Sequence, residues 1–425
     1  MKFFSISLIF VTTFLPLSSQ AQTTLIKADG YINVRSGKLI KPANILIEDN
    51  LIQSINPKVI PDDATIILLT GKILLPGLMD MHDHLDGDFN GSFDAIVFKE
   101  SASKGAIRAA KNAEKTLMAG FTTVRNLGQL HFSKELVNVA VSEASDEGWI
   151  KAPRIIAAGH MLTITGGHGD LTMGMAEEYP DLGPNYGVIN GVDDAVKAVR
   201  YQIKHGARVI KIHATAGVLS LEDSVGAQQL SFEEMKAIVD EAKRHHVKVA
   251  AHAHGAEGII TAINAGVSSI EHGSMLNDKG IRLMKKKGVF LVPTTGLVDL
   301  VVKQADKMNP IMAEKAKYVL PIAIQNLKKA IKAGVKIALG TDAPLIPHGK
   351  NALELTALVE RGMSPIEALK TATINSAELL GVSDRGEIKS GYLADIIAVD
   401  SNPLENIKIM ESVTFVMKGG VVYKN

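Results

Sequence analysis

The sequence predicts an α/β protein: a (β/α)8 barrel of the TIM type, with a small β-sandwich built from both ends of the chain. The long middle of the chain alternates short apolar runs, typical of buried parallel strands, with amphipathic helical segments. Both chain ends instead contain strand-like runs separated by turn residues. Histidines at the ends of several middle strands favour a barrel over a doubly wound open sheet, because a barrel gathers its strand ends at one mouth.

The composition excludes several classes of function. The 425 residues include 46 Lys and Arg against 45 Asp and Glu, a net charge of +1, and 46% are hydrophobic. This balance lacks the basic excess that nucleic acid or an anionic membrane requires. The chain has no cysteine, so a metal ion would be held by histidine, carboxylate or a less usual ligand. We expect the substrate to be a small molecule. The oligomeric state stays open, and a homo-oligomer is compatible with the sequence.

Residues 1–21 have the pattern of a cleavable secretory signal peptide. Lys2 precedes an apolar run over 3–17, and the small-residue sequence Ser19-Gln20-Ala21 follows. The run is too short to span a bilayer well. A buried first helix is the alternative, but no capping or amphipathic pattern supports it. We therefore expect cleavage after Ala21, export to the periplasm or the extracellular space, and no membrane insertion afterwards.

The two ends of the mature chain, 22–76 and 385–425, are predicted to build the β-sandwich together. In the first, the runs 43–47 and 51–55 form a hairpin around Asp49-Asn50, and 66–69 adds another strand. In the second, short strands are predicted at 393–399, 413–416 and 421–423. The chain would leave this sandwich at Pro76 and return near Arg385.

The middle of the chain, 77–384, is predicted to form the barrel. Two capping boxes, Ser231 with Glu234 and Ser364 with Glu367, open amphipathic helices between strands. Eight strand and helix units fit this length. The predicted strands cover 78–84, 122–127, 154–158, 209–213, 247–252, 269–272, 289–293 and 337–342.

Residues of types that bind metal ions lie in or at the ends of several of these strands. His82 and His84 end the first strand, and because alternate strand residues point the same way, both can bind one ion. Taken singly, each such residue has an ordinary explanation, such as a hydrogen bond to a backbone carbonyl or, for Asp342, a helix cap. Gathered at one barrel mouth they indicate a metal centre. The further members are Lys211 in the fourth strand, His252 ending the fifth, His272 ending the sixth and Asp342 ending the eighth.

In this order of ligands the chain resembles the two-metal branch of the amidohydrolase superfamily. Several short segments of the sequence, given below, are similar to those of its imidazolonepropionase-related group. That group includes prolidase-like Xaa-Pro dipeptidases and ochratoxinase-like amidases. The resemblance extends over essentially the whole mature chain. Its phrases are Gly77-Leu78-Met79-Asp80-Met81-His82-x-His84, Thr163-Ile164-Thr165-Gly166-Gly167-His168-Gly169-Asp170, Val209-Ile210-Lys211-Ile212, His252-Ala253-His254-Gly255, Ile270-Glu271-His272-Gly273 and Gly340-Thr341-Asp342-Ala343.

The resemblance implies two divalent metal ions, zinc by analogy, bridged by a lysine that has added carbon dioxide to become a carbamate. Lys211 fits this role because its apolar strand favours the neutral amine, the form that reacts with carbon dioxide. A salt-bridged lysine is the alternative. His82, His84 and Asp342 would hold one ion, and His252 and His272 the other. A hydroxide bridging the ions would attack the substrate carbonyl, and Asp342 would carry its proton to the leaving nitrogen.

Other residues near the predicted mouth suggest roles toward the substrate. His168, in a glycine-rich segment over 159–187, and His254 are candidates to stabilise the oxyanion, although His254 could replace His252 as the metal ligand. His168, His254 and Arg125 are the candidates to bind a substrate carboxylate, with Lys350 as a further cation, and Arg125 could equally form a buried ion pair. No role is predicted for the remaining histidines, His131, His160, His205, His213, His245, His246 and His348.

These features predict a metal-dependent amidohydrolase acting on a dipeptide or an N-acyl amino acid, with ochratoxin-like amides as a further option. The alternative is a single-metal deaminase or cyclic-amidine hydrolase on the same barrel, with Glu257 as its proton shuttle. That alternative leaves Lys211 unexplained, and Glu257 also suits the first turn of an ordinary helix. A non-catalytic scaffold is disfavoured, because a competent residue occupies every position of the metal set.

Overall fold

The computed structural model describes residues 23–88, 96–97, 99–178, 181–220, 224–304 and 309–425. The predicted signal peptide over 1–21 lies outside them. Within the described residues, no helix is both long and apolar enough to cross a membrane.

Strands from both ends of the chain join in one sheet. The first five strands are β1 (Thr23–Asn33), β2 (Lys38–Ile40), β3 (Ala43–Glu48), β4 (Leu51–Ile55) and β5 (Thr65–Pro76). The C-terminal strands are β14 (Ile396–Val399), β15 (Phe415–Lys418) and β16 (Val421–Lys424). Their order is β16-β15-β14-β5-β1-β3-β4, with β2 paired to β1.

This mixed sheet replaces the two facing sheets that a sandwich would have. Ile52 on β4 and Phe415 on β15 lie far apart in the strand order, yet they belong to the same buried cluster. An isolated bridge also pairs Leu51 with Leu393, just before β14. The sheet is therefore curved around this cluster, which buries apolar side chains as two packed sheets would. Other residues of the same strands, such as Ile32, Leu75 and Val416, belong to the larger cluster of the protein.

The middle of the chain carries two parallel sheets. One contains β6 (Leu78–Asp83), β7 (Phe121–Asn126) and β8 (Arg154–Ala157), in that order. The other contains β9 (Met161–Leu162), β10 (Val209–His213), β11 (Lys248–Ala253), β12 (Ser269–His272) and β13 (Phe290–Val292), also side by side in chain order.

Backbone contacts link the two parallel sheets at both sides. The amide of Arg208, before β10, donates to the carbonyl of Ala157 on β8 at 2.8 Å. On the other side, residues 336–343 lie between β13 and β6: the amide of Leu291 donates to Lys336, and the amide of Met81 donates to Leu339. This segment holds the predicted eighth strand, although only isolated bridges, at Ile337 and Ala343, are formed there.

Helices follow or separate these strands, and the two predicted capping boxes, at Ser231 and Ser364, are both formed. They open the helices that begin at Phe232 and Pro365, respectively. The helices are α1 (Ala102–Met118), α2 (Val137–Asp146), α3 (Val192–Lys204), α4 (Phe232–Arg244), α5 (Ala256–Ala265), α6 (Asp278–Lys287), α7 (Gly296–Gln304), α8 (Pro310–Ala333), α9 (Leu353–Glu360), α10 (Pro365–Thr371) and α11 (Ile374–Leu380).

Candidate metal centre

The register of the parallel strands brings the predicted ligands together at one edge. His213 on β10 is directly opposite His252 on β11, and Ala253 is opposite His272 on β12. Lys211 lies two residues before His213 on the same face of β10. His82 is on β6, and the amide of Asp342 donates to the His82 carbonyl at 2.8 Å.

In the group formed by His82, His84 and Asp342, three hydrogen-bond acceptor atoms face one another. Nδ1 of His84 lies 2.8 Å from the carbonyl oxygen of Gly128, and Nδ1 of His82 lies 2.9 Å from a carboxylate oxygen of Glu271. Both Nδ1 atoms therefore donate, which leaves a lone pair on each Nε2. Each Nε2 lies 3.3 Å from Oδ1 of Asp342. Acceptors that converge without a proton suit a cation, and two imidazoles with a carboxylate suit a divalent transition metal.

His252, His254 and His272 form a second group, with ring nitrogens within 4.8 Å of one another. Nδ1 of His254 and of His272 each lie 2.8 Å from a hydroxyl oxygen, of Ser274 and Thr294 respectively. Burial lowers the pKa of His252 and His272 well below the usual histidine value, so both rings are neutral and offer lone pairs. Nε2 of His252 is buried without a hydrogen-bond partner among the described residues, as expected of a metal ligand.

Lys211 lies beside these groups. Its Nζ is 3.4 Å from Nε2 of His82, and the side chain is fully buried. Burial lowers its pKa from 10.5 to about 8, and the nearby carboxylates of Glu271 and Asp342 only partly oppose this shift. At pH 7 roughly a tenth of Lys211 is therefore a neutral amine, a much larger share than an exposed lysine has, and this is the form that reacts with carbon dioxide.

Backbone conformation at three strand ends aims the ligands inward. His272, Thr294 and Asp342 have left-handed φ angles of 67°, 47° and 56°, which side chains other than glycine rarely adopt. Such strain concentrates at functional sites. Burial, the largest influence on Asp342, would raise its pKa, but in the absence of metal a proton on His82, His84 or His272 outweighs burial and lowers the pKa well below its usual value. Asp342 is therefore a carboxylate, and its side chain is 15% exposed.

Arg125 lies behind the ligands and is not among the cavity-lining residues, which favours the buried ion pair over the binding of a substrate carboxylate. Its Nη2 donates to Glu271 at 2.9 Å, its Nη1 to Ser269 at 3.1 Å and its Nε to the Met81 carbonyl at 2.7 Å. The other carboxylate oxygen of Glu271 accepts a hydrogen bond from Nδ1 of His82. Burial would raise the pKa of Glu271, but Arg125 and His82 lower it to about 2. Glu271 thus fixes the proton of His82 on Nδ1.

His168 and His213 adjoin the second group of imidazoles. Nδ1 of His168 lies 2.6 Å from the Ser220 hydroxyl, and ring nitrogens of His168, His213 and His252 are within 4.8 Å of one another. His213, for which the sequence predicts no role, thus lies beside the predicted ligand His252. Its spacing of two from Lys211, which puts both on one strand face, was the signal for it.

One cavity of 860 Å³ contains the metal-binding groups. Lys350 is exposed and is not among its lining residues. Two side chains that the sequence did not single out also line it. One is Lys115 on α1. The other is His348, whose Nδ1 lies 3.6 Å from Oδ1 of the buried Asp83 and whose pKa is lowered by burial to about 4. No local motif marks either of them. His168 and His254 also line the cavity.

A family model for the amidohydrolase family matches residues 73–423. The chain belongs to the amidohydrolase family. It is 36% identical to ochratoxinase from Aspergillus niger, over 96% of this chain and 88% of the ochratoxinase. Imidazolonepropionase from Flavobacterium johnsoniae is 23% identical, over 88% of this chain and 89% of that protein.

Solved structures of related proteins have the same fold. A Xaa-Pro dipeptidase with methionine bound in its active site has a TM-score of 0.90 and 39% identity, covering 95% of this chain and all of that one. The structure of A. niger ochratoxinase has a TM-score of 0.83 and 34% identity, covering 96% of each chain. The predicted resemblance to this part of the amidohydrolase family is confirmed, and the protein is a hydrolase acting on amide bonds.

For this amidohydrolase, the structure gives no support to the proton shuttle of the deaminase alternative. Glu257 lies in the first turn of α5, is exposed and is not among the cavity-lining residues. Its position is the ordinary one for an acidic residue at a helix N-terminus. In contrast, a centre with two groups of metal-binding residues would account for the buried Lys211 beside His82.

Proposed function

We propose that this protein is a two-metal amidohydrolase that cleaves the amide bond of a dipeptide or an N-acyl amino acid and releases an amino acid. The convergence of unprotonated acceptors from His82, His84 and Asp342, beside Lys211 and a second imidazole group in one cavity, carries the proposal. We also infer that residues 336–343 close the parallel strands into the (β/α)8 barrel, in support of which the segment contacts both β13 and β6.

The residues fit two divalent ions, for which we propose zinc. His82, His84 and Asp342 would hold one ion, and His252 and His272 the other, with Lys211 as a carbamate between them. Bound there, the ions would polarise the substrate carbonyl and make water more acidic. The neutral amine of Lys211 is the group that would react with carbon dioxide, and burial increases the share of that form.

Asp342 would move the proton. Its carboxylate is ionised and partly exposed in the cavity, so it can accept the proton of the attacking water and give it to the departing nitrogen. His168 or His254, which both line the cavity, would donate a hydrogen bond to the oxygen on which negative charge develops. The hydroxyls of Ser220 and Ser274 hold Nδ1 of these two rings and so fix their orientation.

The relatives support the substrate class. Ochratoxinase and the Xaa-Pro dipeptidase are similar along nearly the whole chain, and a Xaa-Pro dipeptidase acts, by its name, on dipeptides. A carboxylate on the leaving amino acid would find Lys115 and the imidazoles of His168 and His254 in the cavity, whose lining also includes Asp88 and Asp170. We propose that this carboxylate is part of what the site recognises.

A hydrolysis screen tests this function. Metal-loaded wild-type protein is given a library of dipeptides and N-acyl amino acids, each beside its C-terminal amide or methyl ester, and Asp342→Asn is the control. We expect amino-acid release by the wild type alone, with the free carboxylates preferred. Preference for the neutral compounds would refute carboxylate recognition, and activity confined to cyclic amidines or aminopurines would refute the amidase proposal.

We propose further that the protein is exported and that its mature form begins at Gln22. The proposal rests on the apolar run and the small residues before Ala21. Intact mass of the protein recovered from a periplasmic or culture fraction tests it. A soluble cytoplasmic product that retains residues 1–21 would contradict it.

A further inference from the structure

A short segment that follows β10, residues 217–220, contacts the His168 ring at two points. The hydroxyl oxygen of Ser220 lies 2.6 Å from Nδ1 of the ring. Gly217 lies directly against the ring, because a Cβ added to this glycine would be 2.1 Å from Cε1 and 2.4 Å from each ring nitrogen of His168. The orientation of His168 therefore depends on where the backbone of the 217–220 segment lies.

Lys315 on α8 binds the backbone of the same two residues. Its Nζ donates to the carbonyl oxygen of Ser220 at 2.8 Å and to that of Gly217 at 3.2 Å. The Lys315 side chain is only 6% exposed, and lysine is rarely buried unless acceptors close by replace its water. Because Lys315 is 95 residues from Ser220 in the chain, these two hydrogen bonds tie the 217–220 segment to a distant helix.

The contact with Ser220 determines which ring nitrogen of His168 can donate a hydrogen bond. A neutral imidazole has one N–H donor and one acceptor nitrogen. When the Ser220 hydroxyl donates to Nδ1, the proton of His168 is on Nε2, and the ring has a donor in the cavity that it lines. Stabilisation of an oxyanion requires such a donor, held in place before the reaction. With Ser220 displaced, the ring could turn and carry its proton on either nitrogen.

We propose that Lys315 is a positioning residue for amide hydrolysis: by holding the 217–220 segment, it keeps the proton of His168 on Nε2 and the ring in place as a donor. Lys315 is not among the cavity-lining residues, so it acts through His168 and not on the substrate. This role rests on the proposed function, in which His168 is one of the two rings assigned to the oxyanion. It adds that α8, which carries none of the proposed metal ligands, takes part in the reaction through a buried lysine.

Steady-state kinetics of Lys315→Met, which keeps an unbranched side chain but removes the donor, test this role. Loss of an oxyanion donor lowers kcat about 100–1,000-fold. Because Lys315 acts through a second residue, we expect kcat to fall at least about tenfold, with KM changed less than about twofold, since the lost interaction forms only in the transition state. Lys328→Met makes the same substitution at an exposed position of α8 and should match the wild type.

A double variant tests whether Lys315 acts through Ser220. Ser220→Ala should lower kcat as Lys315→Met does, and the two changes together should lower it no further, because residues that act through one contact are not additive. A double variant whose loss equals the product of the two single losses would overturn the proposed route. Urea unfolding and elemental analysis of each variant establish that it is folded and holds the wild-type amount of metal.

NMR of isotope-labelled histidine side chains separates this inference from the proposed function, because it reports which ring nitrogen carries the proton without any turnover. The spectrum of His168→Gln identifies the His168 signals. In the metal-free wild type and in Lys328→Met we expect the proton on Nε2, and in Lys315→Met a mixture of the two tautomers. Identical His168 signals in Lys315→Met and the wild type would overturn the inference.

The two measurements together distinguish the remaining outcomes. A changed tautomer in Lys315→Met without a fall in kcat would overturn the role of Lys315 in the reaction. A changed tautomer, in a protein whose wild type hydrolyses no amide, would support the positioning of His168 by Lys315 and refute the proposed function.

Discussion

Replacing Glu271 with glutamine tests how the buried ion pair behind the metal centre supports it. In the wild type, one carboxylate oxygen accepts from Arg125 at 2.9 Å and the other accepts from Nδ1 of His82 at 2.9 Å. In Glu271→Gln, the amide oxygen faces Arg125, which can only donate, so the amide N–H faces His82. Nδ1 of His82 must then accept, and its proton moves to Nε2, the atom that faces Asp342.

This rearrangement has two measurable effects. A proton on Nε2 of His82 blocks the lone pair that would bind metal, and loss of such an outer partner typically lowers metal affinity about 10–100-fold. Arg125 also loses the charge that compensates it in a fully buried position, for which removal of one partner costs about 3–5 kcal/mol of the free energy of unfolding. Because the amide oxygen still accepts from Arg125, we expect about 3 kcal/mol.

Competition with a chelator measures the first effect, and urea unfolding of the metal-free protein measures the second. Glu378→Gln is the matched control, because its ion pair with Lys336 is about half exposed, with side-chain exposures of 55% and 49%. It should cost less than about 1 kcal/mol and leave metal affinity unchanged. Our reasoning is refuted if Glu271→Gln binds metal as tightly as the wild type and unfolds at the same urea concentration.

Four further predictions follow from the same geometry. Lys211→Ala should lose most of its metal by elemental analysis, and full metal content with full activity would rule out the carbamate. Asp342→Asn should lose turnover while retaining at least one ion per chain, measured on the same samples. Gly217→Ala should lower turnover, because the added Cβ would lie 2.1 Å from the His168 ring, whereas Gly183→Ala, with open space around it, should match the wild type. In metal-free protein the folded pKa of Lys211, about 8, lies below its usual 10.5, so the cost of burying the charged amine is present in full below pH 8 and disappears as the pH rises to 10.5. Lys211→Met should therefore unfold at a higher urea concentration than the wild type at pH 7. If the variant is still more stable than the wild type at pH 10.5, the assignment is contradicted.

Much of the metal centre could be predicted because its ligands follow strands. The pair His82 and His84, and the residues that close later strands, are marked by their position after apolar runs, and parallel strands gather such positions at one edge. The same logic applies to His213, two residues after Lys211. By itself, however, a histidine on a buried strand is more often a core residue than a ligand.

The buried ion pair that lies behind the ligands could not be predicted from local sequence patterns. Arg125 and Glu271 are 146 residues apart, and their pairing depends on how β7 and β12 face across the interior. Alternation also misleads at the end of β12, where the left-handed backbone of His272 turns its side chain inward although Glu271, one residue before, also reaches the centre. Lys115 and His348 reach the cavity through a helix and a loop, whose placement no strand motif encodes.

The architecture of the chain ends was predicted in part. Apolar alternation marks strands 43–47 and 51–55 and shows which faces are buried, but it does not say which strands pair. The long strands β1 and β5 pair in parallel, and β14 pairs with β5, so both chain ends extend one curved sheet.

Titration of the metal-free protein with Zn²⁺, while amino-acid release from an N-acyl amino acid is followed, tests the central claim most directly. The claim is that two ions are held by separate groups around Lys211. We predict that turnover rises until two equivalents of Zn²⁺ per chain have been added, with carbon dioxide present, and then levels off. Full turnover at one equivalent, or release of ammonia in place of an amino acid, would contradict it.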